Sequence, residues 1–267
     1  MSDAGQITIF PTTVTADEAQ RAGFRFGAKG THTSRTMMFD ELTSVLSAVE
    51  YKASRKEYAA AIVDNNCLAK PTTATRRLTN QRLGELYGLD PSIPIFRVFR
   101  RLWDIDESGR RLLALLCAVA RDPLLASTAS AILTLSDGAE YNRNPVKDAL
   151  RDLVGERLND DILDKVVRNI ASSWSQSGHL EGRTFKKRRL VRATPATVAF
   201  ALYLANLVGF RSLELFTSGW MTLLDCHLSQ ARDLAMEAKQ LNLIDLRMSG
   251  DVLEINLNRL DPGMEGF

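Results

Sequence analysis

The stretch Leu112 to Ala120, LLALLCAVA, consists only of Leu, Ala, Val and Cys. A helix that is apolar all round has no face to give to water, so other elements must enclose it on every side. That requirement predicts a shell of amphipathic helices about a central one. A second long apolar stretch, Val198 to Phe210, follows the helix start Thr194-Pro195. Neither approaches the roughly 20 residues that span a bilayer, so both read as core helices. With 45% hydrophobic and 25% charged residues among 267, the chain has material for about two domains, and disorder throughout is excluded.

The shell is legible in part. Met1 to Ser34 carries Gly5, Pro11, Gly23, Gly27 and Gly30 and only the short apolar run Ile7 to Phe10, which predicts an N-terminal arm over 1–34. Thr33 or Ser34 then caps a helix reaching about Glu50, with Met38, Leu42, Val45, Leu46 and Val49 on one face. A second helix is predicted from Ser54 to Asn65. Pro71 forces a turn, Thr72 or Thr73 offers a cap, and Leu78, Leu83, Leu86 and Tyr87 mark a further helical face. Helix, tight turn, helix makes 35–109 a helix-turn-helix-like domain. Beyond the buried helix, Asp122-Pro123 restarts a helix to near Leu135, Asp137-Gly138 turns, and Pro145 takes the first position of a helix through Val154.

Asp160 to Arg192 then reads as a long helix followed by a basic hairpin. Ile162, Val166, Val167, Ile170, Ala171 and Trp174 recur at helical spacing, with Lys165 and Arg168 off that face. His179-Leu180 begins an extended run that turns at Glu181-Gly182-Arg183 and returns through Lys186 to Arg192. A helix plus a basic hairpin is a winged-helix signature. Trp174 continues the apolar face and reads as a core anchor. From Thr194 the outline repeats: helix to Val208, short helices near Ser212–Phe216 and Trp220–Asp225, a long helix Leu228–Leu241, and a hairpin about Ser249-Gly250-Asp251. The expected fold is therefore mainly α. A C-terminal domain over 110–262 holds two winged-helix-like units, 110–192 basic and 193–262 acidic.

Charge separates these units. From Ile162 to Arg192 eight Lys and Arg stand against two acids, in a chain of net charge +2. Adjacent like charges repel unless water, salt or a polyanion screens them, and a phosphate backbone does this well. Lys70, Arg76, Arg77, Arg82, Arg97, Arg100 and Arg101 form a second surplus, set among threonines, Asn80 and Gln81 that suit phosphate oxygens and base edges. A merely solvated face is the alternative for both, and Arg97, Arg100 and Arg101 alternate with apolar residues as in any amphipathic helix. Lys70, Thr72, Thr73, Arg76, Arg77, Arg82, Lys165, Arg168, Arg183, Lys186, Lys187, Arg188, Arg189 and Arg192 are the candidate DNA contacts. After Thr194 five cations face nine acids, which suits packing or a protein partner better than DNA.

No catalytic signature is present: no GxxxxGK[ST], GxGxxG after a strand, HExxH or GxSxG. Cys67, Cys117 and Cys226 are odd in number and far apart, against a disulfide framework or a metal knuckle. His32, His179 and His227 are scattered. His227 beside Cys226 and Asp225 points elsewhere than its neighbours on a helix, and Asp104, Asp106 and Glu107 read as a polar loop. No catalytic residue, metal site, cofactor or small-molecule substrate is expected. No basic-then-apolar leader follows Met1, which leads to the expectation of a cytoplasmic protein without a membrane partner.

The ordering of a helical N-terminal module, the LLALLCAVARDPLL helix, the segment Trp174 to Gly182 and a basic strand resembles the small A-type subunit (BrxA) of BREX phage-defence systems. The resemblance covers about Arg35 to Arg192. It implies a helical, non-enzymatic component of a bacterial defence locus that binds double-stranded DNA beside other subunits. A protein-binding scaffold or adaptor within a defence or transcription complex is the other reading.

Overall fold

The computed structural model describes residues 7–11, 16–249 and 252–262. Leu112 to Arg121 are all buried within helix α6 (Arg110–Arg121), numbered after α1 (Ala16–Ala22), α2 (Phe39–Ala48), α3 (Arg55–Val63), α4 (Thr73–Tyr87) and α5 (Pro94–Ile105). The helix is enclosed as its composition demands, by α4, α5, the short α7 (Pro123–Ala126) and the second apolar helix, α11 (Pro195–Leu207). Between them come α8 (Ala129–Leu133), α9 (Arg143–Val154) and α10 (Asp160–Gln176). The short helices α12 (Glu214–Thr217) and α13 (Gly219–Thr222) and the longer α14 (Leu228–Gln240) follow α11. One apolar core runs from Ile9 to Leu260 among the described residues. The chain is mainly helical, and among the described residues no single helix is long and apolar enough to cross a membrane.

Capping sets the helix starts. Ser54 and Glu57 form a reciprocal capping box at α3, and Thr194 and Thr197 another at α11. The α4 start lies at Thr72, which accepts from Thr75 N, and the α10 start at Asn159, which accepts from Ile162 N. Two starts differ from expectation. Asn142, not the residue before Pro145, caps α9. Helix α2 begins only at Phe39, behind Met38 in the left-handed conformation (φ 54°), because Thr31–Thr33 forms a separate turn of 3₁₀ helix. The tight turn expected between α3 and α4 is a connection of nine residues, 64–72.

Helix ends are closed by arginines. Arg76 donates through Nη1 to Val63 O at the end of α3, and Arg100 through Nη2 to Leu46 O and Val49 O at the end of α2. Arg121 reaches Gly84 O and Glu85 O in the last turn of α4, and Arg151 reaches Gly155 O and Leu158 O beyond α9. Arg76 and Arg100 satisfy carbonyls at or just beyond helix ends, and Arg76, Arg100 and Arg121 put positive charge at the negative end of a helix dipole.

Where it is described, the expected arm is packed instead. Ile9, Ala19, Ala22 and Phe24 are buried, and Phe10, Phe24 and Phe26 cluster with Trp220. Gly219 N donates to Thr8 O at 2.8 Å, and Arg25 N to Ala120 O at 3.1 Å. Four aromatic rings bury enough area to order a glycine-rich segment.

Two antiparallel hairpins complete the fold: β1 (Leu180–Glu181) with β2 (Lys187–Arg188), and β3 (Asp245–Ser249) with β4 (Val252–Asn256). The tip expected at Gly250 lies outside the described residues. Strand β2 pairs on both sides. Its second neighbour is the segment before α9, through Tyr141 N to Lys186 O and Arg188 N to Ala139 O, each 2.8 Å, with Glu140 opposite Lys187.

The placing of α10 depends on a buried network. His32 Nδ1 lies 2.8 Å from Asp122 Oδ2 and His32 Nε2 2.8 Å from Ser173 Oγ on α10. Ser173 Oγ also accepts from Met37 N at 2.8 Å, and Asp122 caps α7 through Leu124 N and Leu125 N. Burial pushes the Asp122 carboxyl up, but the His32 ring and the hydrogen bonds from His32 and Leu125 outweigh it and hold the group below the usual aspartate value. A folded pKa below the unfolded one gives stability that is complete above about pH 4 and lost as pH falls further. Asp122→Ala is therefore expected to destabilise the protein by about 3 kcal/mol at pH 7 in urea unfolding. The difference from the parent should shrink in acid; an equal loss at both pH values would place the effect in packing alone.

Candidate nucleic-acid interface

Helix α10 buries Leu163, Val166, Val167, Ile170 and Trp174, whose indole donates to Thr128 Oγ1 at 3.2 Å. Ile162, expected on that stripe, is exposed. One flank of the helix is fastened to residues 32–39, by Asn169 to His32 O, Gln176 to Thr36 Oγ1 and Phe39 N to Gln176 Oε1. The other flank meets α9, where Asp164 pairs with Arg143 at 2.7 Å and with Lys147 at 3.0 Å. Helical spacing leaves Lys165, Arg168 and the partly covered Ser172 on the face between them. Lys165 and Arg168 are exposed and have no polar partner among the described residues.

The hairpin at the end of α10 divides its four consecutive cations. A strand turns successive side chains to opposite faces, so Lys187 and Arg189 point outward while Arg188 points in, beside its register partner Leu180. Arg188 is fully buried, paired with Asp225 and bonded to Arg189 O. Its assignment as a DNA contact is therefore wrong: it closes the hairpin onto the segment before α14. Lys186 Nζ donates to Ser175 Oγ at 2.7 Å and Gly182 O at 3.1 Å, stapling the loop to α10, and burial lowers its pKa. Arg189 holds Glu181 at 2.6 Å in an exposed pair that contributes little to stability. Lys187, Arg183 and Arg192 are exposed and without such a partner among the described residues.

The N-terminal surplus is largely structural. Lys70 pairs with Glu41 at 3.0 Å, Arg82 with Glu85 at 2.7 Å, and Arg76 caps α3. Arg97 holds Asp261, Arg100 caps α2, and Arg101 donates to Arg259 O and Leu260 O. Thr72 is spent on capping α4. Exposed Arg77 and Thr73 remain on the outer face of α4, beside exposed Gln81 and Leu78.

A basic hollow of about 300 Å³ was not foreseen. Arg25, Lys29, Arg82 and Arg157 line it with Glu85, where residues 25–33, α4 and the turn before α10 meet. These residues come from three distant segments, and no pattern along the chain announces them.

His32, Asp122 and Ser173 are linked in the order of a nucleophile relay. All three side chains are buried, and Ser173 Oγ lies within hydrogen-bond distance of Asn169 O as well as of His32 and Met37 N, so no substrate reaches it. Among the described residues no group of His, Cys, Asp and Glu could hold a metal ion. Cys67, Cys117 and Cys226 are free thiols. His227, exposed before α14, is separate from buried Cys226.

Comparison with known proteins finds no family model that matches the chain and no curated protein that matches it.

Two predictions rest on the hairpin. Arg188→Ala strands the Asp225 carboxylate and is expected to cost about 3 to 5 kcal/mol, whereas Lys187→Ala should change stability by less than about 0.5 kcal/mol; thermal unfolding of both variants separates a buried role from a surface one. His179, buried beside Arg188, has its pKa pushed down to about 3 by burial first and by Arg188 second. Its Nε2 donates to Leu223 O at 3.0 Å, so the folded ring is neutral with that nitrogen protonated. The unfolded ring takes up a proton below about pH 6.5 while the folded one does not, so stability falls as pH drops through the window from about 6.5 to 3. His179→Gln is expected to flatten that slope in melting temperatures measured between pH 7.5 and 5, beyond its fixed loss of a hydrogen bond; a parallel slope would refute the assignment.

Proposed function

We propose that the chain is a winged-helix protein that binds double-stranded DNA through α10 and the β1–β2 hairpin, without catalysis or cofactor. The observation that carries this is the order and pairing of its elements. A strand segment before α9, then α9, a short turn, α10, and a hairpin whose returning strand lies between the other two supports the winged-helix reading. In such units the second helix of the pair presents its outer face to the major groove and the hairpin lies alongside. That outer face bears Lys165 and Arg168 here, and the hairpin bears Arg183, Lys187 and Arg192. These are phosphate-seeking side chains rather than Asn and Gln pairs aimed at base edges, so sequence preference is weak.

Membership of a bacterial phage-defence assembly is proposed on the resemblance in layout alone. The acidic unit after Thr194, in which Arg259 beyond the β3–β4 hairpin pairs with Asp245 of β3 at 2.7 Å, is the surface we assign to other subunits. A scaffold without DNA affinity is the competing reading, and salt dependence decides between them.

Five free cations on phosphates predict a log–log salt slope of about −4.5 for random duplex. Changing Lys165, Arg168 and Lys187 together to Ala should reduce its magnitude by about 3 and leave the melting temperature near that of the parent. Gel-shift titration at several salt concentrations measures both, and absence of binding at low salt would overturn the reading in favour of the scaffold.

A further inference from the structure

Phe185 is 75% exposed at the tip of the β1–β2 hairpin. It makes no ring contact among the described residues, although every other phenylalanine described is buried or packed against the core. An aromatic ring left in water gives up the burial that ordinarily justifies it.

The backbone that presents the ring is held from both sides. Gly182 sits at φ +111°, and a Cβ there would lie 2.2 Å from Phe185 O, so only glycine lets the loop turn this tightly. On the far side Lys186 Nζ binds Gly182 O and Ser175 Oγ, and Lys186 O accepts from Tyr141 N. The loop is therefore a preorganised mount rather than a slack connection. Arg183 and Lys187, two residues to either side of the ring, are exposed and free of polar partners among the described residues.

An apolar ring between two free cations is complementary to one kind of surface: stacked bases lying between two rows of phosphates. A protein partner would call for a contiguous apolar patch, but Leu190, the other exposed apolar residue of the hairpin, is separated from Phe185 by Lys187 and Arg189. We infer that Phe185 is a wedge that enters the minor groove of duplex DNA and partly unstacks one base step, with Arg183 and Lys187 on the flanking phosphates. Unstacking of this kind kinks the duplex toward the major groove and wraps it onto more of the protein. The inference rests on the DNA-binding reading above and adds to it a deformation of the DNA, with a preference for the pyrimidine–purine steps that unstack most readily.

The test uses the full chain and a short duplex labelled at both ends for energy transfer, with a fluorescent adenine analogue at a central TA step. The parent is expected to raise the analogue's emission and shorten the end-to-end distance. Phe185→Ala, which removes an exposed ring and should melt as the parent does, is expected to bind about tenfold more weakly. Its salt slope should be unchanged, and it should neither raise emission nor bend the duplex. Phe185→Trp should restore both signals. A Phe185→Ala protein that bends and unstacks the duplex as the parent does overturns the wedge while leaving DNA binding in place. Failure of the parent to bind overturns the reading beneath it. A parent that sediments as a dimer and becomes monomeric in Phe185→Ala makes the ring a contact between copies, and also overturns the wedge.

Discussion

A single buried carboxylate, Asp122, joins the parts of this molecule. It ends the central helix α6, starts α7 by accepting from Leu124 N and Leu125 N, and takes both the backbone and the ring of His32. Gly30 passes so close that a Cβ there would lie 2.1 Å from Oδ1. A charge removed from water is tolerated only when its lone pairs are filled, and the donors that fill these come from segments 90 residues apart in sequence. Through His32 the same network reaches Ser173, which fixes the rotation of α10. The outward direction of Lys165 and Arg168 is thus decided by the neighbouring flank of the helix, which Ser173 and Asn169 fasten to residues 32–39.

Much of the fold was legible because its causes are local. The all-apolar α6, a cap for α4 at Thr72 or Thr73, the helix start at Thr194-Pro195, and the turn at Gly182 follow from spacing and capping chemistry alone. The N-terminal segment was not legible. Its glycines and threonines resemble a linker, and the value of Phe10, Phe24 and Phe26 appears only once Trp220 is beside them. Met38 was placed inside a helix by its periodicity, and its left-handed backbone is imposed by the 3₁₀ turn before it and by the packing of residues 32–39 along α10.

The candidate site was legible as a charge surplus but not as a set of contacts. Counting cations along the chain treats Lys186 to Arg189 as one patch. The two-residue period of a strand divides the run, and Asp225 takes the inward member. The same holds for Arg76, Arg82 and Arg100, whose donors go to helix ends or to a neighbouring carboxylate. A guanidinium with five donors suits a helix C-terminus as well as it suits a phosphate. Local composition cannot distinguish these uses, whereas the presence of an unclosed helix end nearby does.

The packing of Phe10 and Phe24 against Trp220, and the bond from Gly219 N to Thr8 O, have a kinetic meaning. During synthesis these apolar residues leave the ribosome long before Trp220 exists, and loop closure over some two hundred positions is slow. Until residue 220 is made, Phe10 and Phe24 lack the ring that closes their cluster, and the nascent chain carries an incompletely covered apolar surface of the kind chaperones recognise. Helices α12 and α13 thereby complete the enclosure of these rings, a contact between segments some two hundred residues apart.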